Sequence, residues 1–343
     1  MRLLFIRPMF AVGASFVRTD LDLLEKHFDV TPMAWDPEDR LFGLRVAKHL
    51  RTHDAAFIWF CDTHAHLAAK WGSHLRRPVV VVPGQYELAD YPEGPYGLKY
   101  EDGRRWRNAR IAVRRARLVL AVSQYHADLI RPERGDRDTR IVYHGFDASQ
   151  VEGGADTHRE RLVVTIAHAA NRTRVWHKGL DTFARAAALV KDARFMLIGD
   201  VAPEIATQLN HLAQGNLHLT GGLQTPEVLD TLRRARVYAQ LSGTETFGCA
   251  VAEAMLCGCA PVLTRRGSLP EVGGDLSLYV DYGDAPAAAD AISRALTSTS
   301  GELCRKRVEE CFPLQAREDG LVAALNSVTS GDSAGRALPG ERT

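Results

Sequence analysis

The sequence predicts an α/β protein made of two Rossmann-like, doubly wound domains that face a central cleft. Three observations support this prediction. Short apolar runs alternate with stretches of helical spacing, as in the βα units of parallel sheets. The 343 residues suffice for about two domains of ordinary size. A polar stretch with two glycines at 147–157 separates two series of apolar runs and is typical of a linker.

The individual elements follow from these runs. In the first series, strands are predicted at 2–6, 55–61, 78–83, 118–122 and 140–143. In the second series, strands are predicted at 162–167, 194–198, 217–220, 237–241, 260–264 and 277–280, and helices at 179–190, 203–213, 226–235, 248–258 and 285–297. We therefore assign 1–150 to an N-terminal domain and 151–312 to a C-terminal domain. The stretch 330–343 is rich in Gly, Ser and charge and is predicted to be disordered.

The composition excludes several classes of protein. With 45% hydrophobic and 25% charged residues, the chain is neither wholly disordered nor collagen-like. Its 43 basic and 42 acidic residues give no overall field that favours nucleic acid. The six cysteines lie mostly in apolar runs and lack zinc-site spacing, which favours a reducing, cytoplasmic compartment and no metal. No apolar run approaches the length of a membrane span.

The strongest local signal is the stretch 242–262. Here a strand end leads through a polar turn with Gly248 into a helix of small residues, so that free amides and the helix dipole favour an anion. Glu245 and Glu253 are eight residues apart and at most about two turns from each other. Carboxylates accept hydrogen bonds from vicinal hydroxyls, so a sugar and a ribose are natural ligands. Taken alone, the pair is better explained by two solvated charges, but the surrounding motif favours a ligand.

A second signal follows the strand 162–167. Arg172, Arg174 and Lys178 lie in a loop that opens a helix, where their charges would neutralise a diphosphate in the same cleft. The alternative is a solvated basic loop.

Together these residues resemble the retaining glycosyltransferases of the family 4 type, which have the GT-B fold. The matching motifs are Glu245-x7-Glu253 with Phe247-Gly248, Arg172-x5-Lys178 with Gly179, Ile198-Gly199-Asp200, Val122-Ser123, and Tyr143 to Asp147. The resemblance is close over most of 115–300 and loose over the first hundred residues. It implies that 313–329 forms a helix returning to the N-terminal domain.

The resemblance also implies roles for particular residues. Arg172 and Lys178 would hold the diphosphate, with Arg174 as an alternative to Arg172. Glu245 would bind the donor sugar and Glu253 the ribose. Backbone around Thr246, Phe247, Gly248 and Cys249 would complete the phosphate site. Such enzymes transfer a sugar from a nucleotide donor, UDP- or GDP-linked, with retention of configuration and generally without a metal or other cofactor.

The acceptor side is expected at strand ends of the first domain. Similar enzymes have a glycine loop after the first strand, which implies a ligand contact for Gly13, although a plain turn capped by Ser15 is the alternative. Asp62 and His64 follow one strand, and Gln85 and Glu87 follow the next. These four are candidates for binding a glycan, lipid-linked or small-molecule acceptor; helix caps or turn residues are the alternative.

Two charged stretches lie outside these motifs. Residues 99–117 contain eight Lys and Arg, and 1–150 has 23 basic against 19 acidic residues, so this run is a candidate for peripheral contact with an anionic membrane. A solvated helix face is the alternative. Asp20 and Asp22 share the spacing of a metal-binding pair, but they begin an amphipathic helix and are predicted to be surface charges.

Alternatives to glycosyl transfer are another GT-B enzyme, an epimerase or phosphorylase, and a catalytically silent module that binds a sugar nucleotide.

Overall fold

The computed structural model describes residues 1–91, 94, 96–135, 137–151 and 159–330. Most of the predicted linker and all of the predicted tail except Ser330 therefore lie outside the described residues. Within the described residues, two separate parallel sheets of six strands each are flanked by helices, which confirms the predicted doubly wound α/β class.

The first sheet spans residues 2–141. Its strands are β1 (Arg2–Pro8), β2 (Asp29–Trp35), β3 (Ala55–Trp59), β4 (Val79–Val82), β5 (Leu118–Ala121) and β6 (Thr139–Ile141), in the order β2-β1-β3-β4-β5-β6. Its helices are α1 (Ser15–Glu25), α2 (Phe42–Leu50), α3 (Thr63–Leu75), α4 (Gln85–Leu88), α5 (Leu98–Glu101), α6 (Gly103–Arg115) and α7 (Gln124–Arg134). All four valines of β4 are buried, because helices cover both faces of a parallel sheet.

The second sheet spans residues 160–280. Its strands are β7 (Glu160–Ile166), β8 (Arg194–Ile198), β9 (His218–Leu219), β10 (Ala235–Gln240), β11 (Ala260–Thr264) and β12 (Leu278–Val280), in the order β12-β11-β10-β7-β8-β9. Its helices are α8 (Arg172–Lys178), α9 (Leu180–Leu189), α10 (Pro203–Leu212), α11 (Thr225–Arg234), α12 (Cys249–Leu256), α13 (Leu269–Gly273), α14 (Ala285–Ala295), α15 (Gly301–Cys311) and α16 (Leu314–Thr329). Short 3-10 turns lie at 9–11, 148–150 and 274–276.

Helix α16 leaves the second sheet and packs against α1 of the first. Phe146 and Pro313 form a parallel bridge where the chain crosses back. Arg317 then pairs with Asp20 through two hydrogen bonds of 2.9 and 2.6 Å, and both side chains are only 1% exposed. The prediction that Asp20 is a surface charge is therefore wrong, because a distant arginine compensates its burial; Asp22 is exposed as predicted.

Two further expectations differ from the structure. Strand β2 was not predicted, because Asp29, Thr31 and Pro32 interrupt its apolar pattern. It lies at the edge of the sheet, where a proline is tolerated since one side of the strand needs no partner. Ser15 is the first residue of α1 and not its cap; Ala14 occupies the cap position, with no side-chain hydrogen bond.

Candidate active site

The two sheets place their topological switch points across one cleft. Strand order reverses between β1 and β3 and between β7 and β10, which is where open parallel sheets bind ligands. Phe10 and Phe60 follow β1 and β3, Ile166 ends β7, and Glu245 lies in the loop after β10. All four line one cavity of about 480 Å³. Phe60 has a φ of +66°, a strained value for an aromatic residue and of a kind that clusters at functional sites.

Glu245 is held in this cavity by three donors that converge on its Oε1. Lys178 Nζ lies 2.6 Å away, Ser242 Oγ 2.9 Å and Gln240 Nε2 3.1 Å. Within the described residues, Oε2 accepts no hydrogen bond. Burial acts to raise the pKa of Glu245, but the Lys178 charge and the hydrogen bonds outweigh it, so this pKa is lowered. The cleft thus contains an ionised carboxylate with one oxygen left for a hydroxyl.

The loop after Glu245 presents backbone amides to the cavity. Gly248 caps α12 with φ +94° and ψ +53°, a left-handed conformation that favours glycine. The amides of Cys249 and Ala250 belong to the first turn of α12, which has no acceptor within the helix. Both residues line the cavity, as do Thr246 and Gly248. An anion at this point would meet free N–H groups and the positive end of the helix dipole.

Two contacts hold this loop in place. Ser123, at the start of α7 in the first domain, donates its hydroxyl to the carbonyl oxygen of Thr246 at 2.6 Å. Phe247 is buried and packs against Phe146 and Phe312 with ring-centroid distances of 5.9 and 5.2 Å. The candidate phosphate loop is therefore anchored to the residues where the chain crosses between the two sheets.

The structure brings Arg174, and not Arg172, into the cleft. The Asn171 side chain caps α8 by accepting from the amide of Arg174 at 2.9 Å. Arg172 is exposed, donates to Gln208 and lines a different surface cavity, whereas Arg174 lines the cleft beside Lys178 and donates to Tyr96 Oη at 3.2 Å. Residues two apart on a helix do not share a face, so one of the two arginines must point away. The sequence named Arg172 as a ligand of the diphosphate, with Arg174 as the alternative. The geometry favours Arg174, because Arg172 does not reach the cleft.

Glu253 lines an adjoining cavity of about 560 Å³. This cavity shares Phe16, His144, Ile166 and Cys249 with the cleft, so the two form one continuous groove. Burial raises the pKa of Glu253 to about 7, and no protein group of the described residues hydrogen-bonds its carboxyl. A ligand hydroxyl would supply the missing partner.

Of the four residues predicted to bind an acceptor, Gln85 and Glu87 line the cleft. Gln85 Nε2 donates to Thr244 Oγ1 at 2.6 Å, across the two domains. The Glu87 carboxyl is 5% exposed, its Oε2 has no partner within the described residues, and burial raises its pKa to about 7. Gly13 does not line this cavity, and a Cβ there would meet no protein atom within 4 Å, so packing within the protein does not require glycine at this position.

Asp62 and His64 do not reach the cleft. Asp62 caps α3 at the amide of Thr63 and pairs with Arg105 at 2.5 Å, so its carboxylate is already used. His64 is fully buried, with Nε2 3.1 Å from the carbonyl of Trp59. Burial lowers its pKa to about 4. Asp62 is therefore a helix cap, the alternative left open from the sequence, whereas His64 is neither a cap nor a turn residue but packs against Trp35 with ring centroids 4.8 Å apart.

Comparison with known proteins agrees with this geometry. The family model described as "Glycosyl transferases group 1" matches residues 163–298. The N-acetyl-alpha-D-glucosaminyl L-malate synthase of Bacillus anthracis is 28% identical over 245 residues, covering 64% of this chain and 61% of the relative. Over its C-terminal domain the chain thus resembles the group 1 glycosyltransferases. A Campylobacter jejuni relative, N,N'-diacetylbacillosaminyl-diphospho-undecaprenol alpha-1,3-N-acetylgalactosaminyltransferase, is 32% identical over 109 residues, which cover 31% of this chain and 27% of the relative. The chain thus spans about three fifths of the first relative and about a quarter of the second.

Solved structures confirm the predicted GT-B fold of this chain. Sucrose-phosphate synthase from Thermosynechococcus elongatus superposes with a TM-score of 0.76 at 16% identity, covering 97% of this chain and 100% of that one. The Anabaena protein HepE in complex with UDP superposes with a TM-score of 0.74 at 19% identity, covering 95% and 100%.

The cleft also contains residues that the sequence did not indicate. Tyr96 of the first domain stacks on His177 of α8 with ring centroids 3.9 Å apart. His177 is 2% exposed, and neither of its ring nitrogens has a partner within the described residues. Burial, with the Lys178 charge, lowers the pKa of His177 to about 3, so the ring is neutral. The signal in the sequence that could have identified His177 is its position directly before Lys178.

Glu271 of α13 joins the two domains. Its carboxylate accepts from the amides of Gln124 and Tyr125, both at 2.8 Å, at the positive end of α7. Tyr143 Oη donates to the same carboxylate at 3.2 Å. Nothing in the sequence pattern points to this contact, because the partners are more than a hundred residues apart.

The basic run 99–117 is partly neutralised by ion pairs. Four of its eight cations pair with carboxylates: Lys99 with Asp90, Arg105 with Asp62, and both Arg110 and Arg114 with Glu133. The remaining four are Arg104, Arg107, Arg115 and Arg117.

The described residues contain no group of three or more His, Cys, Asp or Glu side chains placed to hold a metal ion. No helix among them has the length and apolar character needed to cross a membrane.

Proposed function

We propose that this chain is a retaining glycosyltransferase that moves a sugar from a nucleoside diphosphate sugar to a hydroxyl of an acceptor in the cleft. The observation that carries the proposal is the Lys178–Glu245 pair, 2.6 Å apart, beside the free amides at the start of α12. A cation, a carboxylate and an anion-binding helix end at one point match a diphosphate joined to a sugar.

In this proposal the donor extends along the continuous groove. Lys178, Arg174 and the amides of Cys249 and Ala250 bind the diphosphate. Glu253 accepts hydrogen bonds from the ribose in the adjoining cavity. The free Oε2 of Glu245 accepts a hydroxyl of the transferred sugar.

The residues would act mainly on the leaving group. The bond from the anomeric carbon to the phosphate oxygen breaks, and the acceptor oxygen bonds to the same face of that carbon. The acceptor's proton passes to the departing phosphate oxygen, so the chain need not supply a base. Negative charge grows on the diphosphate as the bond breaks, and the fixed cations and amides therefore stabilise the transition state more than the bound donor.

A UDP-linked sugar is the donor that we propose to test first, with GDP-linked sugars as the alternative. Support comes from HepE, whose solved structures include complexes with UDP and UDP-glucose. The acceptor is proposed to contact Gln85 and Glu87, opposite the donor sugar. Its class, whether a glycan, a lipid-linked sugar or a small molecule, is a question of pocket shape.

The location is proposed to be cytoplasmic, since all six cysteines are free, as a reducing compartment would keep them. Peripheral contact of 99–117 with an anionic membrane has weaker support, because ion pairs neutralise half of its cations.

Donor hydrolysis provides a test that needs no acceptor. Calorimetry with UDP and GDP, followed by incubation with the corresponding radiolabelled sugar nucleotides, should show binding of one nucleotide and slow release of its sugar. NMR of the first product formed should show the anomer of the donor. Binding without turnover of any donor would favour the silent module, and an inverted anomer would contradict retention.

Two variants separate the roles of the central pair. Glu245→Ala should abolish turnover but leave nucleotide affinity nearly unchanged, because Glu245 is assigned to the sugar. Lys178→Ala should weaken both, because Lys178 is assigned to the diphosphate. Equal effects of the two substitutions on nucleotide affinity would contradict this division.

A further inference from the structure

A second concave surface lies on the first domain, at the end opposite the cleft. Helices α3 and α6 end there, and strands β4 and β5 begin there. The cavity measures about 340 Å³, and four arginines line it: Arg76, Arg77, Arg115 and Arg117, called here the arginine cluster. Val328, near the end of α16, lines the same cavity, and no carboxylate of the described residues is among its lining residues.

The arginine cluster lacks counter-charges. None of its four guanidinium groups has a hydrogen bond or ion pair within residues 1–91, 94, 96–135, 137–151 and 159–330. The neighbouring carboxylates are already used: Glu133 pairs with Arg110 and Arg114, and Asp138 pairs with Arg140. Four cations thus surround one concavity without neutralisation.

Compensation of a helix end does not explain the cluster. Basic residues often bind the last carbonyls of a helix. At the end of α6, however, other arginines do this: Arg134 donates to the carbonyls of Val113 and Ala116, both at 2.7 Å, and Arg137 donates to that of Arg114. Arg115 and Arg117 are left over.

The positive charge of the arginine cluster contributes to lowering the pKa of two neighbouring groups, Arg134 and His66. Burial is the main cause that lowers the pKa of Arg134 to about 10, and the Arg137 and Arg117 charges add to it while Asp138 opposes it. Burial likewise lowers the pKa of His66, with the Arg115 and Lys70 charges adding to the effect. The site therefore combines a cavity, unpaired guanidinium groups and a positive local field.

We propose that the arginine cluster binds the phosphate group of an anionic ligand, at a site separate from the cleft. Guanidinium groups offer paired N–H donors that match phosphate oxygens, and several around one cavity favour a phosphate over a carboxylate of lower charge. Arg117 directly precedes β5 and Val122 directly follows it, so about 15 Å of strand separates the cluster from the cleft. The ligand is either a soluble phosphorylated molecule or a phospholipid headgroup.

Equilibrium dialysis of the full chain with radiolabelled pyrophosphate tests the soluble form. The variant Arg115→Ala/Arg117→Ala removes two cluster residues, and Arg104→Ala/Arg107→Ala is the matched control, with equal loss of charge from the same segment. Both are compared in the Lys178→Ala background, where binding in the cleft is weakened. The result therefore does not depend on the proposed transferase activity.

The cluster variant should bind pyrophosphate at least about tenfold more weakly, and the control should stay within about twofold. Because all four substituted arginines are at the surface, melting temperatures should confirm that both variants fold. Sedimentation with vesicles of phosphatidylcholine, with or without phosphatidic acid, tests the lipid form. Cluster-dependent binding to pyrophosphate identifies a soluble ligand, and cluster-dependent binding to phosphatidic acid vesicles alone identifies a headgroup. If neither probe binds, or if both variants bind equally, the proposal is overturned.

Discussion

Replacing Lys178 by Met would leave the Glu245 carboxylate inside the cleft without its cation. The side chains of Lys178 and Glu245 are 17% and 14% exposed, and their charged atoms lie 2.6 Å apart. At an effective dielectric of 20, their gross attraction is about 6 kcal/mol. Removing one member of a buried pair costs about 3–5 kcal/mol, since the other charge stays desolvated. With about 720 cal/mol/K for the unfolding entropy of a chain of this length, the melting temperature should fall by about 4–7 °C.

Thermal unfolding without ligand, followed by circular dichroism, measures this effect. The set comprises wild type, Lys178→Met, Glu245→Gln and the double variant, with Lys191→Met as an exposed control expected to change stability by at most about 0.5 kcal/mol. The double variant should lose less than the sum of the two single losses, because it leaves no uncompensated charge. If Lys178→Met melted like wild type, or if the single losses were additive, the pair would not be coupled and the reasoning about the cleft would fail.

Three further predictions concern other residues. Glu87→Gln should raise the free energy of unfolding by about 3 kcal/mol at pH 8, because folding raises the pKa of this carboxyl from 4.5 to about 7 and the wild-type protein loses stability as pH rises through that range. Denaturant titrations should show that the difference vanishes near pH 4.5, and a difference independent of pH would contradict the assignment. In calorimetry, Arg174→Ala should weaken the binding of a nucleoside diphosphate by about tenfold or more and Arg172→Ala by less than about twofold, because only Arg174 of these two lines the cleft. Equal losses of affinity would argue against this placement. Asp20→Asn should lower the free energy of unfolding by about 3–5 kcal/mol in chemical denaturation, because it breaks a buried ion pair, and the exposed control Asp22→Asn should lower it by about 0.5 kcal/mol. Similar losses for the two variants would show that the burial of Asp20 is unimportant.

Much of the fold could be predicted because buried parallel strands are continuous apolar runs. Val79–Val82 is such a run, and each predicted strand coincides with an observed one. Strand β2 was not predicted because its apolar pattern is interrupted by Pro32, which an edge strand tolerates since it needs hydrogen bonds on one side only. The rule that links apolar runs to strands therefore holds best in the middle of a sheet.

The candidate site was predictable where spacing alone brings residues together. Lys178, Glu245 and Glu253 all reach the groove, since each lies at or just after the end of a strand at a switch point or in the helix that follows. Spacing could not decide between Arg172 and Arg174, because the start of α8 sets which one faces inward. It also could not reveal the use of Asp62, whose partner Arg105 lies on another helix.

The two passages of the chain between the domains have a mechanical consequence. Phe146 pairs with Pro313 at the second passage, and Arg305 of α15 binds the carbonyls of Ala148 and Val151 beside the first. Two adjacent attachments define a hinge axis, so we expect the domains to rotate about the line that joins the attachments more readily than they slide or twist. Because Phe247 packs against Phe146 near this line, we expect the candidate phosphate loop to move less than the rims of the cleft during such a rotation.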